Sequence, residues 1–256
     1  MGLAAQTAEF FLSGLFPSKC AVCAAYIGNP AGGGSENPVL GKNLCPPCEK
    51  GFLFLPEKDV CSLCGNLLAQ GAGGAGAVCG ACVSTDRFFS SARSVVLFSG
   101  SGASAAKRFK YGGDFSLGKF FSDIVLTSFP AQLGEFDCVA PIPLHPKRLK
   151  EREFNQSAVV SSAVSAELGK EHMPFVIERV KDTVPQASFQ RKNDRKRNVR
   201  GAFKVAEGAK NVIKGARMLV FDDIFTTGAT VDECSKALLS AGAREVSALT
   251  VFRTPI

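Results

Sequence analysis

Residues 218–230 read Met-Leu-Val-Phe-Asp-Asp-Ile-Phe-Thr-Thr-Gly-Ala-Thr, and no other stretch restricts the fold and its chemistry as much. The apolar run 218–221 predicts a short buried strand. Asp222 and Asp223 stand where that run ends, and a small, hydroxyl-rich turn of Thr226, Thr227, Gly228, Ala229 and Thr230 follows. Behind the turn, Val231, Cys234, Ala237, Leu238 and Ala241 recur at helical spacing, with Gly242 as the expected C-cap. A turn that opens a helix directs unpaired backbone N–H groups and the positive dipole end at one spot, which suits a phosphate. Gly228 is expected to let the backbone approach that phosphate closely, and the threonine hydroxyls add donors. The carboxylates suit a different part of the ligand, one that donates hydrogen bonds or carries a metal. A ribose 5-phosphate has both parts.

The same string resembles the 5-phosphoribosyl-1-pyrophosphate (PRPP) motif of type I phosphoribosyltransferases. The resemblance implies that Asp222 and Asp223 hold the ribose 2′- and 3′-hydroxyls while residues 226–230 wrap the 5′-phosphate. A strand ending in two acids also looks like a Walker B element. The chain contains no G-x-x-x-x-G-K-[ST], which argues against a P-loop NTPase.

At 256 residues with 46% apolar content, the chain can hold a domain of ordinary size plus a smaller module. No apolar run approaches the roughly 20 residues of a membrane span. The N-terminus lacks the basic and apolar regions of a signal peptide, and residues 9–15 read as one or two amphipathic turns. The net charge of +7 is unevenly placed. Lys147, Arg148, Lys150 and Arg152 form one cluster; Arg191, Lys192, Arg195, Lys196, Arg197 and Arg200 form another. Such clusters imply anionic partners, small phosphates or nucleic acid, unless they are only solvated faces.

Eight of the 10 cysteines fall in C-x-x-C pairs: Cys20/Cys23, Cys45/Cys48, Cys61/Cys64 and Cys79/Cys82. Four such pairs supply two tetrahedral zinc sites of four thiolates each. Two similar pair-loop-pair units favour sequential sharing, a double zinc ribbon, over an interleaved cross-brace. The intervening stretches 28–38 and 71–76 are too flexible to build a core, so metal must hold the region together. Thiolate-bound zinc also fits a reducing compartment, so the expected location is cytoplasmic. Thiol redox chemistry is the competing reading of the pairs. The ribbons carry few basic residues, which favours a structural or protein-contacting role over direct nucleic-acid binding. Cys138 and Cys234 fall on strand and helix positions and read as core.

From residue 93 strands and helices alternate, which predicts an α/β domain with a mostly parallel sheet flanked by helices, after a module spanning residues 1–88. Strands are expected at 93–98, 136–140 and 174–180, and helices at 102–109, 115–129 and 154–168. The loop 141–146 is rigid through three prolines. Segment 182–203 lacks apolar periodicity and reads as a long mobile loop. Loops gather at strand carboxyl ends in open sheets, so 141–156 and 222–230 are expected to meet at one crevice.

The order of these pieces is similar to the ComF family, phosphoribosyltransferase-like proteins linked to DNA uptake in competent bacteria. The match rests on the cysteine pairs, on Phe109-Lys110-Tyr111-Gly112-Gly113-Asp114, and on Pro141-Ile142-Pro143-Leu144-His145-Pro146-Lys147-Arg148. It continues through Arg152-Glu153-Phe154-Asn155-Gln156, Gln186, Arg195, Asn198-Val199-Arg200-Gly201-Ala202-Phe203 and the PRPP motif. Two departures are visible: the family usually has Gly where Glu153 stands, and Ser99-Gly100-Ser101-Gly102 replaces a more usual aromatic.

The resemblance implies displacement of pyrophosphate from C1 of PRPP through an oxocarbenium-like transition state, with Mg²⁺ bridging pyrophosphate and ribose. It makes 141–148, with Pro143 and Leu144, the pyrophosphate loop. Arg148 and Arg152 are the nearest cations, and guanidinium suits phosphate oxygens. Arg191, Arg195 and Lys192 would come from a closing loop. His145 reads as loop-shaping and His172 as chemically idle. No side chain in 93–115 announces an acceptor. Two functions therefore stay open: a phosphoribosyltransferase, or a module that kept the fold to bind PRPP, nucleotide or single-stranded DNA alongside DNA-uptake proteins. A zinc-ribbon regulator is disfavoured for want of an effector surface.

Overall fold

The computed structural model of the chain describes residues 19–27, 35, 37–74, 76–183 and 197–255. Five strands form one sheet in which every pairing is parallel: β1 (Ser91–Leu97), β7 (Glu245–Arg253), β6 (Arg217–Phe225), β2 (Cys138–Pro141) and β3 (Glu171–His172), in that spatial order. The parallel α/β architecture expected from the alternation is thus borne out. Strand β6 is flanked by β2 and β7, and its apolar residues 218–221 are entirely buried, as a strand covered on both faces requires.

Helices cover both faces. On one side α4 (Gly100–Tyr111), α5 (Ser116–Thr127) and α7 (Gln156–Glu167) bury Phe109, Phe121, Ile124 and Val160 against Val139, Leu219 and Phe221. On the other, α9 (Ala229–Ser240) buries Val231, Cys234 and Leu238 with Met218, Val220 and Ala248. The short helix α6 (Pro146–Arg152) follows β2 and leads into α7, and α8 (Lys210–Ile213) precedes β6. Progression across the sheet reverses between β2 and β6: β2 leads outward to β3, whereas β6 leads the opposite way to β7. That reversal is the topological switch point at which open parallel sheets take ligands.

The cysteine-bearing segment carries α1 (Pro38–Asn43), α2 (Pro46–Lys50) and α3 (Gly80–Val83). It lies along the open edge of β1. Leu55 N donates to Val95 O at 2.8 Å, Leu97 N to Leu53 O at 2.8 Å and Ala92 N to Leu63 O at 2.7 Å. The contact blunts an edge that would otherwise present unpaired backbone.

Several expectations need correction. Strand β6 does not stop at Phe221; Asp222 pairs with Thr250 and the ladder runs on to Phe225 opposite Arg253. The neighbouring β7 is apolar and long enough to carry it past the acids. The strand expected at 174–180 shrinks to β4 (Ile177–Arg179) and leaves the main sheet, pairing antiparallel with β5 (Phe203–Val205). The described end of the expected loop, 197–203, is packed: Val199 and Ala202 are buried. Residues 184–196, which include Gln186, Arg191, Lys192 and Arg195, lie outside the described residues, as do residues 9–15. Helix α6 and strand β7 carried no expectation.

Candidate functional site

The crevice between the carboxyl ends of β2 and β6 assembles from two adjacent strand exits. Ile142 N donates to Phe221 O at 2.8 Å, which holds the 142–145 loop beside the acids. Asn155 Nδ2 donates to Ile142 O at 3.0 Å while Asn155 Oδ1 accepts from Ser157 N, capping α7 and fixing that loop from beneath. His145 accepts from Lys147 N and so caps α6, in keeping with a loop-shaping role. His172 instead bonds Ser161 Oγ at 2.9 Å on the far strand β3.

Asp222 Oδ1 accepts from Ser157 Oγ at 3.2 Å and from Asp223 N at 2.8 Å. Burial, and then the neighbouring Asp223 charge, push its carboxyl up to about 7. Asp223 points the other way, to Lys110 of α4, with Nζ–Oδ2 at 2.7 Å. The acids are therefore held at the crevice in distinct settings, one hydrogen-bonded with its carboxyl pushed up by burial, the other ion-paired.

The turn 226–230 sits directly at a helix start, since Gly228 is the N-cap of α9 with φ of +79°. At Gly228 the backbone shows a requirement for glycine that lies inside the protein itself. A Cβ there would meet the Phe225 ring at 2.6 Å, so glycine is needed for the left-handed turn and for ring packing. Thr227 Oγ1 is buried and has no hydrogen-bond partner, a donor left over inside the turn. Arg87 Nη2 donates to Thr227 O at 3.2 Å, and Phe88 N to Asp232 Oδ1 at 2.8 Å. The segment after the last cysteine pair thus grips the turn, a contact without any sequence signature.

Arg148 and Arg152 lie on α6. With Lys110, Tyr111, Gly113 and Glu153 they line an open cavity of about 400 Å³. Arg148 donates to Thr183 O, and Arg152 lies over the Tyr111 ring at 5.4 Å. Pro143 and Leu144 fall in the loop between β2 and α6, beside β6. Arg179, not anticipated, reaches this region from β4; its charge faces Asp222 and Arg148, and it donates to Thr183 Oγ1.

The cysteines form two clusters, Cys20/Cys23/Cys45/Cys48 and Cys61/Cys64/Cys79/Cys82, in each of which all sulfurs lie within 4.8 Å of one another. Pairing is sequential, as expected. The separations Cys23 Sγ–Cys45 Sγ and Cys64 Sγ–Cys79 Sγ are both 3.7 Å. Zn–S bonds of about 2.3 Å in a tetrahedron demand an edge of about 3.8 Å. Backbone N–H groups of Cys45 and Cys79 point at Cys20 and Cys61 sulfurs, at 3.5 and 3.3 Å. The donor set and its spacing fit zinc at both clusters. Cys138 and Cys234 are buried in the core. Among the described residues no helix is long and apolar enough to cross a membrane.

No protein-family model matches the chain. It is 27% identical over 216 residues to competence protein F of Haemophilus influenzae, covering 82% of this chain and 90% of that protein. It is 25% identical to competence protein ComFC of Bacillus subtilis, over 89% of this chain and 100% of that one. The DNA utilization protein YhgH of Escherichia coli is 32% identical over 46% of this chain and 50% of its own length. Among solved structures, glutamine PRPP amidotransferase of Bacillus subtilis superposes with a TM-score of 0.33 and 19% identity, over 59% of this chain and 28% of that one. An overlap that partial adds nothing to the fold described above. Sharing most of its length with two competence proteins, the chain is similar to the ComF proteins, and it joins two four-cysteine clusters that fit a double zinc ribbon to a parallel α/β sheet.

Proposed function

We propose that the β2–β6 crevice binds PRPP or a related ribose 5-phosphate with Mg²⁺ and transfers its phosphoribosyl group to an acceptor, in the cytoplasmic handling of DNA taken up by the cell. The observation that carries this reading is the meeting of Asp222 and Asp223 with the turn 226–230 at the sheet's switch point. The acids would hold the sugar hydroxyls, and the turn, with the spare Thr227 hydroxyl and the start of α9, the 5′-phosphate. Arg148 and Arg152 flank the side on which pyrophosphate would leave, and guanidinium groups suit its oxygens. Positioning and charge stabilisation are the chain's share of such chemistry. Arg191 and Arg195 belong to this proposal as cations of a closing segment. We divide the chain, within the same reading, into a zinc-ribbon module over 1–88 and a transferase-like domain over 89–256.

The test is a pyrophosphate-release screen with PRPP, Mg²⁺ and a panel of bases and amines, run beside a thermal-shift titration. PRPP is expected to raise the melting temperature, and Asp222→Ala with Asp223→Ala to abolish the rise. An unchanged melting temperature in the parent protein would sink the sugar-phosphate site.

A second reading draws on the rim of the cavity. Tyr111 is 75% exposed and lines the cavity with Arg148, Arg152 and Lys110, and Phe115, stacked on Phe154, is 54% exposed. Exposed rings among cations suit stacked bases and a phosphate backbone. PRPP binding without release of pyrophosphate to any acceptor, together with salt-dependent binding of single-stranded oligonucleotides, favours a non-catalytic nucleotide- or DNA-binding module.

A further inference from the structure

The second cysteine cluster stands in a charge relationship that the sugar-phosphate reading leaves unused. Arg253, at the end of β7, is 1% exposed. Its Nη1 donates to Cys64 O at 2.5 Å and its Nη2 lies 3.5 Å from Cys64 Sγ. Arg93 of β1 is 7% exposed and donates to Ser62 O and Ala92 O, both at 2.9 Å. Among the described residues neither guanidinium has a carboxylate partner, and Arg93 feels the charge of Arg253. Two buried cations side by side are costly without anions. The anions facing them are the sulfurs of Cys61 and Cys64, joined for Arg253 by Cys79. Four thiolates around one divalent ion leave two negative charges over, which two arginines cancel. The first cluster is built differently. Cys23 is exposed, and the guanidinium of Arg108, which reaches the Cys20 carbonyl, is already paired with Asp114 at 2.8 Å.

Arg253 also touches the ring that underlies the turn. Its guanidinium lies 4.7 Å over the Phe225 ring, the same ring that leaves no room for a side chain at position 228. A path of direct contacts runs from Cys64 through Arg253 and Phe225 to the turn.

We propose that Arg93 and Arg253 neutralise a metal centre held by Cys61, Cys64, Cys79 and Cys82, and that Arg253, through Phe225, makes this centre a support of the 226–230 turn. The two zinc sites then differ in role: the first is an exchangeable staple, the second a fixed part of the transferase-like core. The turn is the one assigned to phosphate above, but its order can be read without any ligand, so this proposal can fail or stand independently of that reading.

The experiment uses the full zinc-loaded chain, challenged with a chelator while release is followed by a metallochromic dye. Two phases are expected, the slower by about tenfold or more. Cys23→Ser removes the fast phase. Arg253→Met speeds the slow phase by about tenfold and raises deuterium uptake in 222–232, and Arg253→Lys, which keeps the charge but not the planar contacts, falls between. Should Arg253→Met not fold, Arg253→Lys and the parent protein's own two phases still decide the matter. A single release rate for both zincs, or a slow phase unchanged in both variants, overturns the neutralising role. Unchanged deuterium uptake in 222–232 after the slow zinc has left overturns the support of the turn.

Discussion

Lys110 Nζ stands 2.7 Å from Asp223 Oδ2, with the two side chains 19% and 17% exposed. The lysine comes from the end of α4 and the acid from β6, so this pair joins the cavity to the β2–β6 crevice. Removing the lysine leaves Asp222 and Asp223 adjacent with no ion-pair partner among the described residues, and only the charge of Arg179 facing Asp222. Lys110→Met is expected to cost about 1–2 kcal/mol in urea denaturation, between the values for exposed and fully buried pairs. Unchanged stability would show that the pair is bridged by solvent and exerts no hold on the acids.

Asp222 makes stability depend on pH. Its folded-state carboxyl titrates at about 7, above the ordinary value of 3.8. The native state therefore holds a proton that the unfolded chain gives up, and stability falls as pH rises between those values, levelling off above 7. Asp222→Asn keeps the acceptor for Ser157 and Asp223 N but removes the charge. It is expected to stabilise the ligand-free protein by about 1–3 kcal/mol at pH 8 and by little at pH 4. Denaturation curves at both values check this, and an equal effect at the two would rule out the raised carboxyl.

Gly228 is constrained twice, by φ of +79° and by a Cβ that would lie 2.6 Å from the Phe225 ring. Gly228→Ala is expected to cost about 2–4 kcal/mol. Adding Phe225→Leu returns the steric part but not the backbone strain, so the double variant recovers only partly. A neutral Gly228→Ala would mean that the turn adopts another backbone path.

Much of this was legible in the primary structure because local chemistry and tertiary placement agree. The apolar run 218–221, the acids and the glycine turn lie in one contiguous stretch, so pattern alone located the crevice. The cysteine clusters follow from spacing, since a pair two residues apart can grip only a nearby metal. Other parts depend on partners distant in sequence. Asp222 and Asp223 break an apolar pattern, yet β6 continues through them because β7 offers a ladder as far as Arg253. Residues 174–180 read as a sheet strand, but Ile177–Arg179 pair instead with 203–205, beyond a long connection. Arg93 and Arg253 look like ordinary strand-end cations; only the fold sets them against Cys61 and Cys64.

Glu153, at the position where the ComF resemblance leads one to expect glycine, ends α6 with φ of +66° and ψ of −28°. A Cβ in that left-handed conformation costs about 1 kcal/mol, which glycine avoids at some expense of chain entropy. The carboxylate also lines the cavity with Arg148, Arg152 and Lys110, where it lowers the local positive potential. Glu153→Gly is therefore expected to stabilise the fold by about 0.5–1 kcal/mol and to tighten inorganic pyrophosphate binding roughly two- to fivefold at low salt. Urea denaturation reads the first effect and calorimetric titration the second. Glu153→Gln separates them, because it removes the charge and keeps the Cβ: tighter pyrophosphate without added stability is the expected result. Stability gained by the glutamine variant would assign the cost of Glu153 to its charge and not to its backbone.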